Sequence, residues 1–331
     1  MKTSSGLVTG ALALLIALPA LAADVPPPWA YGFHTPPPEA PAPPAPPAAA
    51  QAPDTTLYTL PGAKGKFTRA QIGSRFGPAD WFPGDHPTMP DIVANGRQPD
   101  VFACSLCHYP NGRGRPENAP IVGLPEAYFI EQLERFRHDE RKTADPRKAN
   151  TGIMATIAKG MTEEEMKEAA AYYGAMKFTR WVKVVETDSV PKTTTSVGLF
   201  LPIAGADKEP IGQRILEVPE DVEAVEKLRN PRVGFIAYVP RGSIKKGKAL
   251  VQTGGGKSPL PCGACHGPDL KGMLNIPAIA GRSPSYLVRQ MVDMKTGHRV
   301  GQGTELMKPV LANLNDDDML AIAAYTASLK P

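Results

Sequence analysis

Two stretches of the chain, residues 91–180 and 241–331, repeat one pattern of hydrophobic and polar positions. Each holds a segment with helical spacing in its middle and an amphipathic segment at its end, which predicts at least two helices per stretch. The final helices are predicted to begin after Thr162 and Asn315, because each residue is followed three positions later by an acidic partner, as in a capping box. The pattern therefore predicts a mainly α protein with two helical domains in tandem.

The two stretches align residue by residue when their first cysteines are superimposed. A glycine, a tyrosine, a glutamine and an arginine then recur 19, 24, 28 and 37 residues after that cysteine. The matching pairs are Gly123 and Gly281, Tyr128 and Tyr286, Gln132 and Gln290, and Arg141 and Arg299. The first copy carries five extra residues within 143–150, after which both copies resume in phase at Met154 and Met307.

Residues 181–240 separate the copies and follow another pattern, which predicts an irregular, partly β insertion. Short runs bounded by turn formers predict strands at 181–185, 197–201, 214–218 and 234–239, and residues 221–229 could form one or two helical turns. The insertion contains no cysteine or histidine, so no metal site is expected there. It is interpreted either as a clasp between the two domains or as a docking surface for a partner.

The first 23 residues have the pattern of an export signal. Lys2 provides a positive charge at the beginning of the segment, an apolar run follows, and Ala20-Leu21-Ala22 is typical of a cleavage site. An uncleaved membrane anchor is the alternative, but the apolar run is short for a membrane span. The signal predicts that the protein lies outside the cytoplasm, in the periplasm of a Gram-negative bacterium.

Two further segments precede the first helical domain. Residues 24–54 hold 12 of the 37 prolines and predict a disordered, extended arm, in which Trp29, Tyr31 and Phe33 would be contact points if the arm docks. Residues 55–90 are rich in turn formers and aromatic residues, and we expect them to pack on the first domain as an N-terminal extension. His86 of this extension is expected in a surface loop.

The charge of the chain argues against a nucleic-acid partner. The formal net charge is only +4 over 331 residues. Nucleic-acid binding also requires basic and aromatic residues together on one element, and no predicted element has them. The cysteines indicate a different chemistry.

All four cysteines fall in two copies of the motif C-x-x-C-H. This is the attachment pattern of a c-type haem, in which two thiolates bond to the haem vinyl groups and the histidine becomes an axial iron ligand. A redox disulfide is one alternative, but it does not require a histidine after each pair. A zinc site built from both pairs is another, but such sites usually have a spacing shorter than the 158 residues between these pairs. We therefore predict two covalently bound haem c groups, one at Cys104, Cys107 and His108 and one at Cys262, Cys265 and His266.

A histidine-ligated haem iron retains one axial position, for which Met154 and Met307 are the candidates. Both methionines lie in matching positions before the final helix of their copy, in stretches that are predicted to be turn-prone. His138 and His298, at the ends of the middle helices, are the rival ligands. A histidine–methionine pair is typical of a high-potential electron-transfer centre, whereas two histidines would lower the potential.

With these motifs, residues 91–180 and 241–331 each resemble a class I cytochrome c domain, and the tandem is similar to dihaem cytochromes of the c4 type. The resemblance implies that Pro120 and Pro277 line the haem pocket and that their carbonyl groups accept hydrogen bonds from the axial histidines. It also implies that Gly123 and Gly281 allow the backbone to approach the haem closely. The proline-rich arm and the insertion depart from that family.

These features predict an electron carrier and not an enzyme. The carrier would relay single electrons from a dehydrogenase or a quinol-oxidising complex of the cytochrome bc1 type to a terminal oxidase or reductase, with no small-molecule substrate. A tightly bound subunit of a larger dehydrogenase or oxidase is the alternative, and peripheral membrane association would then come through that partner. A dihaem peroxidase needs an open iron site, which a methionine in both copies disfavours.

Overall fold

The computed structural model describes residues 25–36 and 54–331. The predicted signal segment, residues 1–23, and residues 24 and 37–53 of the proline-rich arm lie outside this part of the chain. Within the described ranges, no helix combines the length and the apolar character needed to cross a membrane.

The first repeat packs its helices around an apolar core. Its elements are α3 (Asp91–Ala94), β1 (Gly96–Arg97), β2 (Val101–Phe102), α4 (Cys104–His108), α5 (Glu126–Arg137), α6 (Ala149–Gly160) and α7 (Glu163–Gly174). The predicted capping box is present at α7. The Thr162 side chain accepts a hydrogen bond from the backbone amide of Glu165, and the Glu165 side chain accepts one from the backbone amide of Thr162. The core between α5, α6 and α7 includes Leu133, Met166 and Tyr173, all buried.

The second repeat follows the same order with an additional helix at its start. Its elements are α8 (Ser243–Thr253), a 3₁₀ turn (Gly254–Gly256), α9 (Gly263–His266), α10 (Pro284–Lys295), α11 (Gln302–Leu311) and α12 (Asp316–Ser328). Asn315 caps α12 together with Asp318, as expected from the sequence. Helices α8 and α12 pack closely along their length, and this packing depends on a glycine in α8.

The methionine stretches are helical, which corrects the prediction of turns. Met154 lies within α6 and Met307 within α11. In α11 the helix even includes Pro309, which is costly for a helix interior. Thr304 and Leu311 of the same helix are buried, so tertiary packing outweighs the local preference against helix.

The insertion is built mainly from short strands. They are β3 (Val182–Glu186), β4 (Ser189–Pro191), β5 (Thr193–Ser196), β6 (Leu199–Pro202), β7 (Lys208–Pro210), β8 (Leu216–Pro219) and β9 (Phe235–Val239), with a π-helical turn at Glu223–Lys227. β9 pairs in parallel with β3 and antiparallel with β8, while β4 with β7 and β5 with β6 form antiparallel ribbons. The four strands predicted from the sequence correspond to β3, β6, β8 and β9.

Residues 25–36 pack against the second repeat, although the whole arm was expected to be disordered. A short helix, α1 (Pro28–Tyr31), buries Trp29 and Tyr31 against α10. The Tyr31 hydroxyl donates to Asp293 Oδ1 at 2.7 Å, and Arg289 Nη1 donates to the carbonyl oxygen of Ala30 at 2.6 Å. Two large aromatic side chains among the prolines are enough to anchor this part of the segment, because they bury a large apolar surface.

The extension contacts both the first repeat and the insertion. Its short helix α2 (Arg69–Ile72) precedes Trp81, whose indole nitrogen donates to the carbonyl oxygen of Leu228 at 2.7 Å. The prediction of a surface position for His86 is wrong, since its side chain is only 5% exposed and lies 3.1 Å from both Asp80 Oδ2 and the Tyr172 hydroxyl. Asp80, six residues away, and Tyr172 of α7, which is distant in the sequence, hold this histidine inward.

Replacing Gly247 by alanine should destabilise the second repeat. A β-carbon at this position in α8 would lie 1.9 Å from the carbonyl oxygen of Ala321 in α12, so the two helices would have to separate. We expect the free energy of unfolding to fall by about 1–3 kcal/mol in denaturant titrations. Gly152→Ala in α6 is the matched control, because its β-carbon meets open space and should raise stability by up to about 1 kcal/mol. Equal effects of the two substitutions would contradict this account.

Candidate haem-binding site

Both C-x-x-C-H motifs open into one continuous cavity of about 470 Å³. Its lining includes all six residues of the predicted attachment sites, namely Cys104, Cys107, His108, Cys262, Cys265 and His266. Most of the remaining lining surface is apolar, and about half of the remaining lining residues lie on α5, α6, α10 and α11. The fold thus places two sites that are far apart in the sequence on the walls of a single space.

Each motif sits on a short helix that aims its cysteines and histidine the same way. In α4 and around α9, the second cysteine and the histidine follow the first cysteine by three and four residues, so they share a helical face. The chain leaves both helices with a positive φ, 63° at Tyr109 and 81° at Gly267. Glycine adopts this conformation readily, whereas Tyr109 is held in it by burial of its ring.

Burial also affects the ionisation of the attachment residues. It raises the pKa of the Cys104 thiol to about 12 and raises the pKa of Cys107 and Cys262. It lowers the pKa of His108 and His266, so these imidazoles are neutral at physiological pH. A neutral imidazole is the form that binds a metal ion.

The two histidines are oriented by carbonyl groups, but only one of the predicted acceptors is correct. His266 Nδ1 lies 2.9 Å from the carbonyl oxygen of Pro277, and His108 Nδ1 lies 2.8 Å from that of Ala119. Because a carbonyl can only accept, each Nδ1 carries the proton and each Nε2 is left for an iron ion. Both acceptors follow the first cysteine by 15 residues, so the position in the repeat, and not the proline, selects the acceptor.

Pro120 lines the cavity, but its carbonyl group has a different partner. Arg282 Nη1 of the second repeat donates to it at 2.7 Å, and Nη2 donates to the carbonyl of Val122 at 3.1 Å. The carbonyl group therefore joins the two repeats instead of orienting a histidine.

Gly123 and Gly281 do not line the cavity, contrary to the expectation from the resemblance. Both have a positive φ, and their amide groups donate to the carbonyl oxygens of Tyr173 and Thr326 near the ends of the final helices. A β-carbon on Gly281 would also lie 2.4 Å from Pro331. These glycines are needed for close packing of a loop on the final helix of each repeat.

The two predicted methionine ligands line the cavity, and the two rival histidines do not. His138 has a side chain that is 64% exposed and lies 3.5 Å from Glu134. His298 is hydrogen-bonded to the hydroxyl of Thr296 at 2.9 Å. This arrangement favours Met154 and Met307 as axial ligands, and their coordination stays a prediction.

The two repeats meet around Arg141 and Arg299, which occupy matching positions. The chain segments containing them pair antiparallel, with Lys142 donating to the carbonyl of His298 at 2.7 Å and Val300 to that of Glu140 at 2.9 Å. Matching residues of a duplicated sequence thus lie on either side of an approximate two-fold axis. Only the repeat alignment in the sequence hinted at this contact.

Each arginine donates to the tyrosine of the opposite repeat. Arg141 donates to the Tyr286 hydroxyl at 3.1 Å, and Arg299 donates to the Tyr128 hydroxyl at 2.8 Å. Both guanidinium groups also donate to Gln132 and Gln290, at distances of 2.8–3.2 Å. Within the described chain, every side chain that accepts a hydrogen bond from these two cations is neutral.

These residues fit a haem at each motif. Arg299 is buried and Arg141 is half-buried, and among the described residues neither guanidinium group has a carboxylate partner in hydrogen-bond contact. A haem carries two propionate carboxylates. Arginine binds carboxylates well in buried sites because its donors form a rigid fork. The apolar lining would surround the porphyrin, the cysteines would attach it, and the oriented histidines would bind the iron.

Comparison with known proteins identifies the family. The profile of the family described as "Cytochrome c" matches residues 244–330. Cytochrome c-554(548) of Halomonas halodenitrificans is 40% identical over 68 residues, which are 20% of this chain and 82% of that protein. The chain belongs to the cytochrome c family.

Two further relatives define the type of cytochrome c. Cytochrome c4 of Azotobacter vinelandii is 41% identical over 85 residues, 24% of this chain and 40% of that protein. The "Thiosulfate dehydrogenase electron acceptor" of Thiomonas intermedia (strain K12) is 24% identical over 235 residues, 70% of this chain and 80% of that protein. The chain is a class I cytochrome c similar to the c4 type, an electron-transfer protein whose family binds haem c covalently.

Replacing Arg299 by methionine should weaken the contact between the repeats. The substitution removes donors from Tyr128, Gln132 and Gln290 at a buried position. We expect the haem-loaded protein to lose about 1–3 kcal/mol of unfolding free energy in guanidinium titrations. Arg241→Met is the control, because that arginine is exposed and pairs with the exposed Asp188, so its loss should change stability by less than about 0.5 kcal/mol. Small, equal losses would show that the network does not hold the repeats together.

Proposed function

We propose that this protein is a periplasmic dihaem cytochrome c that relays single electrons between a dehydrogenase and a downstream oxidase or reductase. The observation that carries the proposal is the single cavity whose walls hold two C-x-x-C-H motifs and two methionines. Two redox centres in one continuous space would be close enough for electrons to pass between them. A carrier also needs no substrate pocket apart from the haem sites.

The chain's own residues would set the properties of each site. A bound haem c supplies a one-electron change at its iron. His108 and His266 are held by backbone carbonyls with Nε2 available, and Met154 and Met307 are placed to occupy the other axial position. A thioether ligand and an apolar, water-poor lining both raise the reduction potential. Closed axial positions would also keep the sites from binding oxygen or peroxide.

The relatives suggest the class of electron donor. The proteins of Thiomonas intermedia and of Stutzerimonas stutzeri (strain A1501) that match about 70% of this chain are both named thiosulfate dehydrogenase electron acceptors. Their matched regions extend well beyond a single cytochrome c domain, since they cover 235 and 237 residues. A thiosulfate dehydrogenase is therefore the first donor to test. The export signal predicted for residues 1–23 supports a periplasmic location.

Replacing Met307 by alanine should open one of the two haems only. Loss of the thioether would abolish the sulfur-to-iron charge-transfer band of the second site and allow carbon monoxide to bind to one haem per chain. Met154→Ala should do the same at the first site. Met273→Ala is the control, because that methionine is 44% exposed and does not line the cavity. An unchanged charge-transfer band in Met307→Ala would refute this ligand.

The carrier function can be tested by mixing the oxidised protein with a thiosulfate dehydrogenase and thiosulfate in a stopped-flow spectrometer. We expect reduction of both haems, with two electrons taken up per chain, and no reduction when the enzyme is omitted. A pyridine haemochrome assay should give two haems per chain. Rapid turnover of hydrogen peroxide with a reduced donor, or a single haem per chain, would overturn the proposal. Reduction by other dehydrogenases only would retain the carrier and exclude this donor.

A further inference from the structure

A buried amine without a hydrogen-bond partner lies in the wall of the cavity. Lys148 is only 4% exposed, and within the described chain its Nζ atom has no acceptor. It immediately precedes α6, inside the segment 143–150 that gives the first repeat five extra residues. The second repeat has no counterpart of this lysine, so the two predicted haem sites differ in their electrostatic surroundings.

Several charged groups face Lys148 from the elements packed around it. Glu117 and Arg115 belong to the loop after the first motif, Arg289 to α10, and Asp145 to the lysine's own loop. The Glu117 carboxylate forms an ion pair with Arg115, with 2.5 Å between Oε1 and Nε, yet neither of its oxygens has hydrogen-bond geometry with any described residue. Asp145 is already paired with Arg147 at 2.7 Å. When Lys148 is protonated, three buried cations, Lys148, Arg115 and Arg289, therefore lie around the Glu117 carboxylate. Asp145 does not offset their charge to the same degree, because it is already paired with Arg147.

The loop that carries Lys148 is attached to the first haem site. Asn150 Nδ2 donates to Asn118 Oδ1 at 2.8 Å, and Asn118 precedes Ala119, whose carbonyl orients His108. Lys148 and Glu117 both line the same cavity as His108 and Met154. A change of charge inside this cavity would change the electrostatic potential at Lys148 with little screening by water, because buried charges interact through a low dielectric.

The buried environment also brings the pKa of Lys148 into the physiological pH range, where the amine can gain or lose a proton. Burial, together with the positive charge of Arg289, lowers the pKa of Lys148 to about 7. A buried lysine loses its proton readily because the charged form is poorly solvated. A unit of negative charge added in the cavity should raise its proton affinity roughly tenfold at effective protein dielectric constants.

We propose that Lys148 is a proton-binding site coupled to the redox state of the first haem site, so that this cytochrome takes up a proton together with an electron. Slightly above neutral pH, Lys148 is mostly uncharged while the first site is oxidised, and it takes up one proton from solvent to become an ammonium group when the redox partner supplies one electron to that site. Oxidation reverses both changes. The inference rests on the proposed function, because it requires a haem at Cys104 and Cys107.

The test is a spectroelectrochemical titration of the holoprotein at several values between about pH 6 and pH 9. One of the two midpoint potentials should fall as the pH rises through the titration of Lys148, by up to about 59 mV per pH unit when one proton accompanies one electron. The other midpoint potential should change less with pH. Met154→Ala, which alters the first site, should shift the pH-dependent potential and thereby assign it.

Three variants separate Lys148 from other groups. In Lys148→Arg the cation is permanent, so the first potential should stay high and independent of pH over this range, and in Lys148→Met it should stay low and independent of pH. The wild-type potential should follow the arginine variant at low pH and the methionine variant at high pH. Lys159→Met is the control, because Lys159 is half exposed and paired with Asp139, and it should keep the wild-type pH dependence. An unchanged slope in Lys148→Met would overturn the proposal and assign the proton to another group, such as a haem propionate.

A direct measurement on the wild-type protein covers the case in which a variant fails to fold. Electrochemical reduction in weakly buffered solution near pH 7.5, followed with a pH indicator, should show uptake of up to about one proton per chain. No proton uptake would refute the coupling. Two haems in the pyridine haemochrome assay and reduction by the dehydrogenase would show in the same preparations that the carrier function holds even if the coupling fails.

Discussion

The contact between Arg141 and Arg299 is the constraint on which the arrangement of the two sites depends. Each guanidinium group crosses from its own repeat to the tyrosine and glutamine of the other, at the point where matching segments pair antiparallel. Two cations this close, one buried and one half-buried, repel each other, and neutral acceptors and anions around them offset that repulsion. The cavity beside them would provide those anions as haem propionates, so cofactor binding and the association of the repeats are expected to stabilise each other.

The duplicated architecture is made asymmetric by the segments that are not duplicated. The segment 143–150 brings Lys148 into the cavity, and the anchored residues 25–36 pack on α10. The insertion contacts the first repeat, the second repeat and the extension. Tyr31 and Arg289 connect these elements through Asp293 and the carbonyl of Ala30. Two sites with the same predicted ligands can thus differ in their electrostatic surroundings, and a difference in potential would give the proposed relay its direction.

Prediction from the sequence was most successful where the chemistry is local. The C-x-x-C-H motifs, the capping residues of α7 and α12 and the four main strands of the insertion each depend on neighbouring residues, so a short pattern is sufficient. The helical conformation around Met154 and Met307 was missed because packing overrode turn-forming residues. The acceptor for His108 was misplaced by one residue, because a proline was preferred to the position in the repeat.

The sequence by itself determined the cofactor chemistry, the duplication and the phase of the two methionines, because bonded attachment requires a fixed short spacing. Only the tertiary structure decided that both motifs share one cavity, that the arginines exchange partners between repeats and that residues 25–36 are packed. It also decided that Lys148 is buried without an acceptor. Such features arise from contacts between residues far apart in the chain, and burial changes the energy of a charge in a way that no local pattern records.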